Sequence, residues 1–128
     1  MATLIDHDNP VLSVTFHPTA PLLATGSTDH TVKLWQISSD NWSVKCVATL
    51  QGHSGDVNSV VFHPTAPLLA TGSSDNTAKL WRLSPDNGSA VCVATLQGHS
   101  DGITSVAFHH TAPVLATGSY DKTVKLWR

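Results

Sequence analysis

The sequence contains no glutamate, few charged residues and no long apolar run, and the last two features each exclude a class of protein. Charged residues make up 12% of the 128 positions and hydrophobic residues 41%, unlike a disordered, highly charged chain. The net charge is −2 and no basic run occurs, so we expect no nucleic-acid partner. No stretch approaches the roughly 18 apolar residues of a membrane span, so we expect no membrane partner.

Cysteine is also scarce. Two cysteines, Cys46 and Cys92, cannot form the disulfide framework that stabilises small secreted proteins. The first residues lack the basic start and the apolar stretch that are typical of a signal peptide. These absences together favour a cytoplasmic protein.

An internal repeat of 46 residues runs through the chain. Trp35, Trp81 and Trp127 follow one another at this spacing. Residues 48–82 align with residues 94–128 without a gap and match at 25 of 35 positions. We therefore predict three repeat units, which cover residues 2–47, 48–93 and 94–128.

Each repeat contains four short apolar or β-branched runs that are separated by Gly, Pro, Asp and Asn. In the middle repeat, two of these runs are residues 57–62 and 68–73. No window shows a helical period. The pattern predicts an all-β chain in which each repeat forms a four-stranded antiparallel meander. Successive apolar positions in the strands indicate sheets that are covered on both faces.

The repeats carry a motif that resembles a known family. The middle copy has Gly-His at 52–53, Leu-Ala-Thr-Gly-Ser at 69–73 and Asp-Asn-Thr-Ala-Lys-Leu-Trp at 75–81. This motif, present in register in all three copies, resembles that of the WD-repeat β-propeller family, which implies propeller blades. Two features depart from the family pattern. The tryptophans are followed by Gln or Arg instead of the common Asp, and the first copy has Asp6 before its histidine.

The resemblance also implies one hydrogen-bonded tetrad per repeat, in which Asp accepts from His, His contacts Thr, and Thr accepts from the Trp indole. The tetrad residues are His7, Thr25, Asp29, Trp35, His53, Thr71, Asp75, Trp81, His99, Thr117, Asp121 and Trp127. A hydrolase that uses the His, Asp and Thr of one set is the alternative interpretation. Because the set recurs in every repeat, we expect a structural role and no enzymatic activity.

A second set of histidines, His17, His63 and His109, follows the first inner strand of each repeat. A metal site needs three or four converging ligands, and equivalent positions on successive blades lie apart. We therefore expect solvent-facing loop histidines, no metal and no cofactor. Trp42 has no aromatic counterpart in the later repeat, and it either caps nearby apolar surface or is an exposed contact residue.

The repeat frame predicts how the chain closes. Residues 2–5 align with the outer strand at 48–51, whereas the last strand of the chain is an inner one. Three blades cannot close a ring, because propellers use about four to eight blades or slightly more. We expect head-to-tail assembly into a closed ring, with a homotrimer of nine blades favoured over a homodimer of six. The expected closure residues are Ala2, Thr3, Leu4, Ile5, Thr123, Val124, Lys125, Leu126 and Trp127.

Fold alone does not determine function, so the variable surface positions matter most. The resemblance implies a non-catalytic scaffold that binds other proteins through the loops at one end of the blades. The expected partner-binding positions vary while the scaffold repeats, and they are Leu12, Thr28, His30, Asn58, Ser74, Asn76, Thr104, Tyr120 and Lys122. An engineered or recently amplified propeller fragment without a ligand of its own is the alternative.

Overall fold

The computed structural model describes residues 2–128, which form eleven β-strands and no helix. The strands are β1 (Val11–Phe16), β2 (Leu22–Ser27), β3 (Val32–Ile37), β4 (Val44–Leu50), β5 (Val57–Phe62), β6 (Leu68–Ser73), β7 (Ala78–Leu83), β8 (Ala90–Leu96), β9 (Ile103–Phe108), β10 (Leu115–Ser119) and β11 (Val124–Trp127). In the described part of the chain, no helix is long and apolar enough to cross a membrane.

The strands form three antiparallel meanders. β1–β4 and β5–β8 are four-stranded sheets, and β9–β11 form a three-stranded sheet. Each hairpin between the second and third strands turns through a residue with positive φ, namely His30, Asn76 or Lys122. The prediction of an all-β chain built from propeller blades is confirmed.

The core lies between consecutive sheets. In the first interface, Leu22, Val32 and Leu34 of the first sheet pack in one cluster with Val60 and Phe62 of the second. The second interface repeats this arrangement. There, Ala70 and Ala78 pack with Ile103, Val106 and Leu115. Burial between two sheets explains why the inner strands are apolar at successive positions.

The two outermost sheet faces remain uncovered in the single chain. Phe16 is 70% exposed, whereas the equivalent Phe62 is 5% exposed. At the other end Leu126 is 68% exposed, whereas the equivalent Leu34 is fully buried. Among the described residues 2–128, β11 is paired with β10 alone, and residues 2–5 form no strand.

Candidate functional site

A chain of polar contacts connects the loop before each sheet to its inner strands, and the middle sheet shows the geometry. Trp81 Nε1 donates to Thr71 Oγ1 over 3.0 Å, and Thr71 Oγ1 lies 2.7 Å from His53 Nε2. On the other side of the imidazole, His53 Nδ1 lies 2.8 Å from Asp75 Oδ2. The β6–β7 register brings Thr71 and Trp81 together, because Trp81 pairs with the residue two positions before Thr71.

Donor and acceptor chemistry fixes the order of protons along this tetrad. An ionised carboxylate can only accept, so His53 Nδ1 carries the proton that it donates to Asp75. His53 Nε2 then accepts from the Thr71 hydroxyl, whose oxygen accepts from the Trp81 indole. A neutral imidazole therefore satisfies every member. Among the described residues, no buried side-chain nitrogen or oxygen lacks a partner.

The surroundings shift the pKa values of both titratable members, His53 and Asp75. Burial lowers the pKa of the His53 imidazole, and it outweighs the opposing effects of the Asp75 hydrogen bond and charge. Burial raises the pKa of the Asp75 carboxyl, but hydrogen bonds from Thr77, His53 and the backbone outweigh it and lower this pKa to about 2. The tetrad thus combines a neutral imidazole with an ionised carboxylate at neutral pH.

The first and third sheets contain the same tetrad. Every contact in the three sets lies between 2.6 and 3.0 Å. The members are His7, Thr25, Asp29 and Trp35 in the first sheet and His99, Thr117, Asp121 and Trp127 in the third. In the third set, hydrogen bonds from Thr123 and His99 lower the pKa of the Asp121 carboxyl.

The Thr–His–Asp part of the tetrad has the connectivity of a hydrolytic triad, but a substrate could not reach its threonine. A nucleophile must reach the substrate, whereas Thr71 is 0% exposed and Thr117 is also buried. In addition, the Thr71 oxygen already accepts the Trp81 indole N–H. This arrangement suits the role of holding a loop against two strands.

Sequence reasoning missed the residues that complete the carboxylate's hydrogen bonds. Asp75 Oδ1 accepts from Thr77 N at 2.9 Å and from Thr77 Oγ1 at 2.6 Å, while Ser73 Oγ accepts from Asp75 N at 3.1 Å. The same bonds recur in the other two sheets. The signal was present in the sequence, since Ser precedes and Thr follows the aspartate by two residues in every repeat.

The second set of histidines lies in loops, as expected, and shapes turns there, but His17 and His63 are half-buried and not solvent-facing. His63 Nδ1 accepts from two backbone N–H groups at 3.1 and 2.8 Å, and its ring lies 4.9 Å from that of Phe108 in the next sheet. His17 makes the equivalent contact with Phe62 at 5.0 Å. Both are partly buried. Within residues 2–128, no cluster of three His, Cys or Asp side chains could hold a metal ion.

The expected partner-binding positions lie at one end of the sheets, where the first inner strands begin and the second ones end. Tyr120 is 68% exposed, and His30, Ser74 and Lys122 are also exposed. Asn58 is engaged, because its amide donates to Ser74 Oγ at 3.0 Å and to the Ile103 carbonyl of the next sheet at 2.8 Å. The remaining expected positions are the exposed Leu12 and Thr104 and the half-buried Thr28 and Asn76.

Trp42 belongs to an open groove on the first sheet. It is 73% exposed and lines the groove with Ala2, Leu4, Phe16 and Ile37. The groove has a volume of about 730 Å³. In the single chain, Trp42 therefore stands beside apolar surface without covering it.

Both cysteines are free thiols on equivalent outer strands. Cys46 lies in β4 and is partly buried, and Cys92 lies in β8 and is exposed. Burial raises the pKa of the Cys46 thiol, which lowers the share of reactive thiolate at neutral pH.

Comparison with known proteins gives two matches. A family model described as "WD domain, G-beta repeat" matches residues 1–36, 44–82 and 90–128. A relative in Oryza sativa subsp. japonica, described as "Chromatin assembly factor 1 subunit FAS2 homolog", is 53% identical over 32 residues. That match covers 25% of this chain and 6% of the relative, so the similarity spans only a small part of either protein.

Proposed function

The chain belongs to the WD-repeat family, and from this we propose that it is a non-catalytic β-propeller scaffold that assembles head-to-tail into a closed ring. The repeat units 2–47, 48–93 and 94–128 each supply the three inner strands of one blade, whereas the outer strands β4 and β8 cross the boundaries between units. The observation that carries the proposal is the contrast between Phe16, which is 70% exposed, and its buried equivalent Phe62. Large apolar faces and unpaired strand edges favour association.

A second copy of the chain fits both open faces. The face of the last sheet exposes Val124 and Leu126, and that of the first sheet exposes Val14 and Phe16. Within the chain, the equivalents of these residues pack against each other between consecutive sheets. In the proposed ring, residues 2–5 of one copy pair with β11 of the next and complete its three-stranded blade.

The blade count favours three copies. Nine blades turn about 40° each and six turn about 60° each, compared with about 45° in an eight-bladed ring. A trimer therefore departs less than a dimer from common propeller geometry. We accordingly propose a homotrimer, with the homodimer second.

Solution mass tests the assembly. Light scattering after size exclusion should give about 41 kDa for three chains of 13.6 kDa, or about 27 kDa for two. A well-folded species of 13.6 kDa at all concentrations would contradict the ring.

The loop end of the blades is the proposed protein-binding surface, with Tyr120 as its main contact. Exposed aromatic residues are enriched at protein interfaces. Purified ring with Tyr120→Ala should bind a protein partner more weakly than ring with Val91→Ala, because Val91 lies on the outer strand β8. Equal binding by both variants would favour a scaffold without a ligand at this surface.

The tetrads stabilise the blades in this proposal, and the protein needs no cofactor. A cytoplasmic location is consistent with the two free thiols. The relative's description as a chromatin assembly factor subunit makes the nucleus the alternative compartment. Imaging of the tagged chain in cells distinguishes the two.

A further inference from the structure

The two interfaces within the chain are built from the same pairs of residues. In the first, Ser13 Oγ accepts from Val60 N at 3.2 Å, and in the second, Ser59 Oγ accepts from Val106 N at 3.2 Å. The turn histidines repeat in the same direction, since His17 packs on Phe62 and His63 on Phe108. Each interface therefore has a leading face, which supplies Ser and His, and a following face, which supplies Val and Phe.

A glycine on each leading face sets how closely the sheets approach. A Cβ atom added at Gly26 would lie 2.7 Å from Val57 Cγ1, and one at Gly72 would lie 2.6 Å from Ile103 Cγ2. Either contact is too short to be tolerated without a shift. The third equivalent, Gly118, is open, because the nearest atom to its added Cβ is Thr104 Oγ1 at 4.0 Å.

A contact to the outer strand also recurs in the first two sheets and lacks a counterpart in the third. Lys33 Nζ donates to Thr49 Oγ1, and Lys79 Nζ donates to Thr95 Oγ1, both at 2.9 Å. The next lysine in the repeat is Lys125. By the 46-residue period, its partner position corresponds to Thr3.

We infer that a third interface of the same design forms between two copies of the chain, which rests on the proposed ring assembly. Gly118 of one copy receives Val11 of the other, and the His109 ring packs on Phe16. Ser105 Oγ accepts from the Val14 N–H, and Lys125 Nζ donates to Thr3 Oγ1. A second copy is the occupant, because its first sheet carries Val14 and Phe16, the equivalents of the Val and Phe residues that fill the two internal interfaces.

Gly118→Val is the sharpest test of this pairing. The added side chain enters open space in the single chain, and a β-branched residue suits strand β10, so the chain should fold normally. Between copies it meets Val11 and should prevent assembly. Far-UV circular dichroism reports folding and light scattering reports mass. The same substitution at Gly72 should instead destabilise the chain itself.

Phe16→Ser supplies an independent test with a matched control. Loss of a buried phenylalanine should raise the dissociation constant of the assembly by roughly 10- to 100-fold. Val91→Ser removes a similarly exposed apolar side chain from β8, outside the inferred interface, and should leave assembly unchanged.

The outcomes separate this inference from the proposed ring. A wild-type chain that stays monomeric overturns both. Equal assembly of the wild type, Gly118→Val and Phe16→Ser would support self-association but overturn the inferred pairing. Folded monomers of Gly118→Val beside an assembled wild type support both.

Discussion

At the residue scale, one buried hydroxyl decides whether a blade's polar groups are satisfied. Thr71 Oγ1 accepts from Trp81 and contacts His53, and among residues 2–128 neither Trp81 Nε1 nor His53 Nε2 has another side-chain partner. Buried polar groups that lose a partner keep the cost of leaving water. The stabilising effect of the tetrad therefore depends on the Thr71 hydroxyl.

We predict that Thr71→Val destabilises the fold although it preserves side-chain shape. It leaves the Trp81 indole N–H and His53 Nε2 unpaired, at about 1–3 kcal/mol for each group. Urea unfolding followed by tryptophan fluorescence measures the loss. Thr65→Val, at an exposed turn, serves as the control. Equal stability of the two variants would contradict the stabilising role of the Thr71 hydrogen bonds.

We also predict that acid lowers stability in two steps. The folded-state pKa of His53 is lowered from 6.5, and that of Asp75 is lowered from 3.8 to about 2. The unfolded chain therefore binds more protons in each window. Stability should fall as the pH drops below about 6.5 because of His53, and again from about pH 4 toward 2 because of Asp75. Urea titrations across this range check the prediction.

Asp75→Asn tests whether Asp75 causes the loss of stability in the lower pH range. This variant has no carboxyl to titrate at that position, so its stability should vary less between about pH 4 and 2 than that of the wild type. An unchanged pH dependence would assign the acid sensitivity to other groups.

His99→Ala distinguishes a structural tetrad from a catalytic one. A structural role predicts a lower melting temperature, because Thr117 and Asp121 lose their shared partner. His110→Ala, at an exposed position outside the tetrad, should melt like the wild type. A hydrolase would instead keep its melting temperature in His99→Ala and lose an ester-cleaving activity.

At the element scale, β11 is the strand whose environment should change on assembly. In the single chain it pairs only with β10, whereas its equivalents β3 and β7 are each paired on both sides. Hydrogen exchange at the β11 amides should therefore slow as protein concentration rises, while exchange in β7 stays constant. Concentration-independent exchange in β11 would argue against pairing with a second copy.

Strand positions were readable from the sequence because turn residues bracket each run in every copy. The aspartate that stands before His7 was not interpretable until the structure placed the Asp6 carboxylate 3.5 Å from Nζ of Lys33, whose side chain is largely buried. The contacts of His17 and Asn58 were also missed, since each reaches into the following sheet. The repeat pattern predicts the strands within one blade. Contacts between blades depend on how the sheets stack, which the pattern does not give.

At the scale of the whole molecule, the proposed assembly would link the stability of the fold to protein concentration. Only folded chains can associate through the two open faces, so assembly stabilises the folded state. The melting temperature of the protein should therefore rise with protein concentration. Differential scanning calorimetry over a hundredfold dilution series checks this. A constant melting temperature would indicate that the single chain is stable by itself.

Tyr120 has a consequence for how such a ring would engage a partner. The equivalent positions in the other blades are Thr28 and Ser74, so the aromatic side chain occurs once per chain. A ring of identical chains then presents it at regular intervals on one rim. A partner with two linked recognition segments of matching reach gains avidity through effective concentration, whereas a single segment binds only with its intrinsic affinity. The scaffold would thus select partners by their valency as well as by their sequence.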